Sequence, residues 1–139
     1  MINFEALELN LDELRIKYLT AQPFPHLIID NFCDEEKLNI AYNSIPELNN
    51  KSRDYAFANN KFEKSNYKVI CPELEGLYND LSSDRFNKIL SFITAKKTFV
   101  DPKNFGGGLH QGKKNSFLDM HLDFNYHPLN KNWYRELNL

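Results

Sequence analysis

The sequence predicts an α+β fold, helices first and strands after. Three observations carry this. Apolar residues recur at helical spacing in four stretches before residue 94. Asp101-Pro102 and the triple glycine Gly106-Gly107-Gly108 then interrupt the chain. Beyond them, Phe117 to Phe124 alternates apolar and polar residues as a half-buried strand does.

The first helix is expected from Asn10, an N-cap with Glu13 three residues on, with Leu11, Leu14 and Tyr18 on one side and Gln22-Pro23-Phe24-Pro25 ending it. His26 to Asp30 reads as a short buried strand. Asp34 to Ile45 reads as a second helix with a stripe of Leu38, Ala41, Tyr42 and Ile45, stopped by Pro46. Residues 47 to 66 are polar, and one or two short strands are expected around Tyr55-Ala56-Phe57. Pro72 opens a third helix with Leu74, Leu77, Tyr78 and Leu81 in register. Ser82 or Ser83 caps a fourth, bearing Phe86, Ile89, Leu90 and Ile93. Leu109 to Gly112, Phe117 to Phe124 and Trp133 to Leu139 are the strand candidates, and Gly106 to Gly108 reads as a flexible or close-packed lead into the first of them. The expected organisation is one domain over 1–139, mainly helical to residue 100 and strand-forming from 101.

Bulk properties narrow the function. The chain has 139 residues, 42% of them hydrophobic and 14% aromatic, with a formal net charge of −2. That size allows a real core, and the balance argues against a nucleic-acid partner, which needs a basic stripe. Cys33 and Cys71 lack metal-type spacing; free thiols of a reducing compartment are the simpler reading, with a disulfide between them the alternative. There is no signal-peptide pattern and no apolar run of membrane-spanning length, so a cytoplasmic protein without membrane association is expected.

The candidate site is His121-Leu122-Asp123. On a strand, an imidazole and a carboxylate two residues apart point the same way and can reach one cation, as two thirds of a 2-His-1-carboxylate iron site. The motif is weak alone. Periodicity leaves two readings open: an inward metal site, or a solvated face of Asp119, His121 and Asp123 with Leu118, Met120, Leu122 and Phe124 as core. His26 and His127 read as structural, the latter in a turn with Pro128, and His110 could line a pocket.

Four segments taken together resemble a known family. Pro23-Phe24-Pro25-His26-Leu27-Ile28-Ile29-Asp30-Asn31-Phe32 resembles the opening of Fe(II)/2-oxoglutarate-dependent oxygenases of the prolyl 4-hydroxylase-like group. Phe105 to Gln111 resembles the strand before that group's iron ligands, His121 to Pro128 its HxDFNxHP iron segment, and Trp133 to Leu139 the strand that follows. The resemblance implies N-terminal helices packed on a double-stranded β-helix (jelly-roll) core, of which only the first strands are present. It implies His121 and Asp123 as Fe(II) ligands, Gln111 in the 2-oxoglutarate pocket, and Asn125, Tyr126 and Arg135 on the substrate side or behind the ligands. Tyr126 by itself reads more simply as a packed loop aromatic, and Asp119 as a surface or supporting carboxylate.

The implied activity is hydroxylation of a prolyl, peptidyl or small-molecule substrate, using 2-oxoglutarate and O2 and releasing succinate and CO2. Ascorbate is compatible as an auxiliary cofactor. The family's distal histidine and its 2-oxoglutarate-binding Arg or Lys have no counterpart after Asp123 in these residues. The expectation is therefore a domain incomplete at its C-terminus. A site completed by a partner chain or homo-oligomer, and a non-catalytic remnant serving as an interaction module, are the alternatives. The Asn-rich stretch from Asn49 to Asn66 is the first place to seek substrate contacts.

Overall fold

The computed structural model describes residues 1–49 and 58–139. It is α+β, with six helices, four strands in two small antiparallel sheets, and no closed barrel among the described residues. The strands expected around Tyr55-Ala56-Phe57 lie outside the described residues. The chain forms two compact units, each made of two separate pieces: Met1–Ile45 with Lys68–Pro102, and Pro46–Tyr67 with Lys103–Leu139. The polar stretch from 47 to 66, in which short strands are expected, holds β1 (Ala58–Lys64).

The first unit holds most of the buried apolar side chains. Its best-specified element is α6 (Asp84–Thr94). Ser83 Oγ accepts from the Phe86 N–H at 3.1 Å, and Phe86, Ile89, Leu90 and Ile93 are all buried. These are the cap and stripe expected from the sequence. Helix α2 (Leu11–Thr20) packs on α6 through buried Leu14 and Tyr18, and Arg15 reaches across to the Phe92 carbonyl and stacks on its ring. A short α1 (Phe4–Leu9), not anticipated, precedes α2 and changes its start. Asn10 ends α1, and its side chain turns back to the Ala6 carbonyl at 2.8 Å instead of capping α2. Arg85 of α6 grips Glu8 of α1 with two hydrogen bonds of 2.7 and 2.6 Å and lies over Phe4.

Helix α3 (Glu35–Ser44) is capped by Asp34, whose carboxylate accepts from the Lys37 N–H. Its expected stripe is narrower than the spacing suggests: Ala41 is fully buried, while Tyr42 is 72% exposed and Leu38 41%. Ala41 meets Cys71, whose thiol lies 3.6 Å from the Ala41 carbonyl, and only a small side chain fits so close a contact. A four-residue α4 (Tyr67–Ile70) was not foreseen. The helix expected from Pro72 is a 3-10 turn (Pro72–Leu74) running into α5 (Glu75–Leu81). The strand expected at His26 to Asp30 does not form. The segment is irregular and Ile28 is 81% exposed, because it has no sheet neighbour to bury it. An isolated antiparallel bridge, Ile2 to Cys33, lies nearby, and the Met1 ammonium and the Ile2 N–H both reach the Asp80 carboxylate.

In the second unit β1 pairs antiparallel with β2 (Leu109–Leu118), from Lys64 opposite Leu109 to Ala58 opposite Leu118. Gly108, at φ +125°, precedes β2 where a Cβ would fall 2.2 Å from the Lys64 carbonyl oxygen. Backbone cannot yield there, so only glycine fits. The register breaks after Gly112. Asn60 and Asn115, both at positive φ, bracket the irregularity, and the Asn60 amide donates to the Lys114 carbonyl at 3.0 Å. The other sheet is the hairpin of β3 (Tyr126–His127) and β4 (Asn130–Tyr134).

Candidate functional site

His121 and Asp123 lie in the irregular stretch between β2 and β3. The strand expected over Phe117 to Phe124 stops at Leu118, where pairing to β1 ends. Without a neighbouring strand the alternation has no sheet to act on. Met120 and Leu122 are fully exposed, so the apolar set that alternates with the ligands does not form a core face. The strand expected from Trp133 to Leu139 likewise ends at Tyr134.

The stretch is held from the hairpin side. His127-Pro128-Leu129-Asn130 forms the tight turn, with Pro128 preset for it. His127 is buried, and its Nδ1 accepts from the N–H groups of both Leu129 and Asn130, each at 3.1 Å. That fixes Nδ1 as the acceptor of the ring. Its ring meets Phe105 and Trp133 edge-on at 5.3 and 5.4 Å between centroids. Past the hairpin, the Arg135 N–H donates to the Asn125 carbonyl at 2.7 Å. The Arg135 guanidinium lies 5.0 Å over the Phe124 ring and donates to Asp123 Oδ2 at 3.0 Å and to Asn138 Oδ1 at 2.7 Å. One arginine thus grips three consecutive residues of the candidate segment.

The imidazole of His121 is oriented by its own backbone neighbour. Its Nδ1 lies 2.8 Å from the Asp119 carbonyl, which can only accept, so the proton sits on Nδ1. Nε2 lies 3.6 Å from Asp123 Oδ1, so that one imidazole nitrogen and one carboxylate oxygen stand side by side.

His121 Nε2 and Asp123 Oδ1 are the two atoms of this segment that would hold a metal ion. The donor set suits a borderline metal such as Fe(II), and the Asp119 carbonyl behind His121 and Arg135 behind Asp123 are the kind of groups that orient metal ligands. As two ligands of an iron centre they fit. No group of three His, Cys, Asp or Glu side chains converges among the described residues.

The other predicted residues are placed differently. Gln111 lies on β2 opposite Phe62, and both ends of its amide are engaged: Oε1 accepts from the Leu48 N–H at 2.7 Å and Nε2 donates to the Pro46 carbonyl at 2.8 Å. Asn125 contributes its carbonyl to Arg135. Tyr126 lies in β3, half exposed, and pairs edge-on with Tyr134 across the hairpin, 5.5 Å between centroids. His110 is exposed opposite Glu63. Sequence reasoning did not foresee the clamp by Arg135 or the seating of His127 over its turn. The signal for the second was the His-Pro pair itself, since a histidine before a turn proline is well placed to accept the turn's N–H groups.

No protein-family model, curated protein or solved structure matches this chain. Among the described residues no helix is long and apolar enough to cross a membrane.

Proposed function

We propose that this chain carries the proximal two ligands, His121 and Asp123, of the iron centre of an Fe(II)- and 2-oxoglutarate-dependent dioxygenase with a jelly-roll core. The observation that carries the reading is the facing of His121 Nε2 and Asp123 Oδ1 at 3.6 Å, with the remaining polar atoms of both side chains already committed elsewhere. The net reaction is substrate C–H plus 2-oxoglutarate plus O2 to substrate C–OH, succinate and CO2. Fe(II), when bound with 2-oxoglutarate, supplies dioxygen activation. The chain's residues orient the site: the Asp119 carbonyl holds the imidazole through Nδ1, and Arg135 engages Asp123 Oδ2, which leaves Oδ1 on the side of His121. The third ligand and the base for the far carboxylate of 2-oxoglutarate come from residues other than these, in a longer chain or a partner. The substrate class is a prolyl or other peptidyl group or a small molecule, and the setting is cytoplasmic.

A titration with Co(II), which replaces Fe(II) without oxidation, tests the ligand pair. One weak site per chain is expected, with affinity falling at least tenfold in both His121→Ala and Asp123→Ala. Equal binding by all three proteins would sink the reading. Succinate release from 2-oxoglutarate, lost in the same variants, is the activity readout once the completing residues are present.

The second reading is an interaction module without catalysis. It is favoured by the full exposure of Met120 and Leu122 on either side of His121, an unusual place for apolar side chains in a finished site. It predicts no metal-dependent 2-oxoglutarate turnover even with the completing residues supplied.

A further inference from the structure

Beside β2 the chain holds a short piece of itself as a bound peptide would be held. Gln111 reads the backbone of residues 46–48 at both a carbonyl and an N–H. Lys113, two positions along the strand, holds the Glu47 carboxylate at 2.7 Å and the Asn49 side-chain oxygen at 3.2 Å. The Lys113 ammonium also lies 4.8 Å over the Phe62 ring, and Leu48 is buried to 5% exposure. The Glu47 carboxyl is held below its ordinary range by that hydrogen bond.

We propose that this face of β2 is a recognition site for an extended acidic peptide of a partner protein, occupied in cis by residues 46–49. The required chemistry is given by the present occupant: a main chain offering C=O and N–H two residues apart, a carboxylate between them, and an aliphatic side chain next. Gln111 supplies sequence-independent main-chain pairing, as a sheet edge does for an added strand. Lys113 supplies charge selection. A tethered occupant has an effective concentration of about 1 mM or more, so a free peptide at micromolar concentration does not displace it. The site is thereby self-inhibited. The inference uses neither His121 nor Asp123 and stands or falls apart from the iron reading.

The test is fluorescence polarisation with a labelled Ile-Pro-Glu-Leu-Asn peptide. The intact chain should bind it weakly. The double variant Glu47→Lys with Leu48→Asp, which ejects the cis segment but leaves Gln111 and Lys113, should bind at least tenfold more tightly, and less so at high salt. Adding Lys113→Glu should abolish that gain, and a peptide with Lys in place of Glu should restore it. No gain in the double variant, or no rescue by the charge-swapped peptide, overturns the proposal. Loss of hydrogen-exchange protection across β1 and β2 in the double variant also overturns it, because the segment would then be part of the fold and not a removable occupant. Concentration-dependent dimerisation of the intact chain, abolished by Lys113→Glu, would make the occupant a second copy and overturn the assignment to a partner protein.

Discussion

Arg135 Nη1 lies 3.0 Å from Asp123 Oδ2 while its own N–H is bonded to Asn125 and its guanidinium covers Phe124. The candidate segment has no strand pairing on the β2 side, so this single side chain supplies much of its order. Arg135→Met should loosen it. An exposed ion pair and a cation–π contact are each worth up to about 1 kcal/mol, so amide exchange at residues 122–125 should quicken by roughly fivefold or more. Arg135→Lys should recover only part, since a lysine cannot serve Asp123 and Asn138 together. Unchanged exchange in Arg135→Met would mean the segment is held by something else.

Ser83 is the cap on which α6 depends. Ser83→Ala removes the acceptor for the Phe86 N–H and should cost about 1 kcal/mol, read as a lower Tm. Ser83→Asp should keep the cap and favour the positive end of the helix dipole. A Ser83→Ala protein as stable as the wild type would show that packing of Phe86 and Ile89 alone sets the helix start.

What could be read from the sequence divides along physical lines. Helix α6 was legible to within a residue at its start because cap, stripe and burial agree, and each signal is local. Asn10 misled because a cap residue can also serve the helix before it, and α1 is too short to show a period. His26 to Asp30 and Phe117 to Phe124 misled for a shared reason. Alternation reports a strand only where a neighbouring strand exists, and pairing is a long-range fact that no window of residues contains. The candidate site was half legible. His121 and Asp123 do come together, but through a turn of irregular chain tied to Arg135, and Gln111 is engaged with residues more than sixty positions away.

His127 tests how far the turn carries the site. His127→Phe keeps the aromatic contacts to Phe105 and Trp133 but strands the Leu129 and Asn130 N–H groups. Each of these hydrogen bonds is worth about 0.5–1.5 kcal/mol. The hairpin amides should therefore exchange faster and the Tm should fall. His127→Asn, which offers a carbonyl near the same place, should lose ring packing yet retain part of the turn's protection. If the two variants behave alike, ring packing and not the Nδ1 acceptor is what His127 contributes.

The pH dependence of the first unit should report on Asp80. Burial alone would raise its carboxyl, but the Met1 ammonium and the Ile2 N–H together outweigh burial and hold it below the ordinary carboxylate value. A folded-state value lower than the unfolded one, about 3.9, stabilises the protein fully above the unfolded value. That stability drains away as pH falls through the folded value. Asp80→Asn removes the charge at every pH. Its Tm deficit against the wild type should be a few degrees at pH 6, for a loss of about 1 kcal/mol, and should shrink as pH falls below the unfolded value and through the lower folded one. A deficit that stays constant over that range would mean the substitution acts through packing and not through the charge.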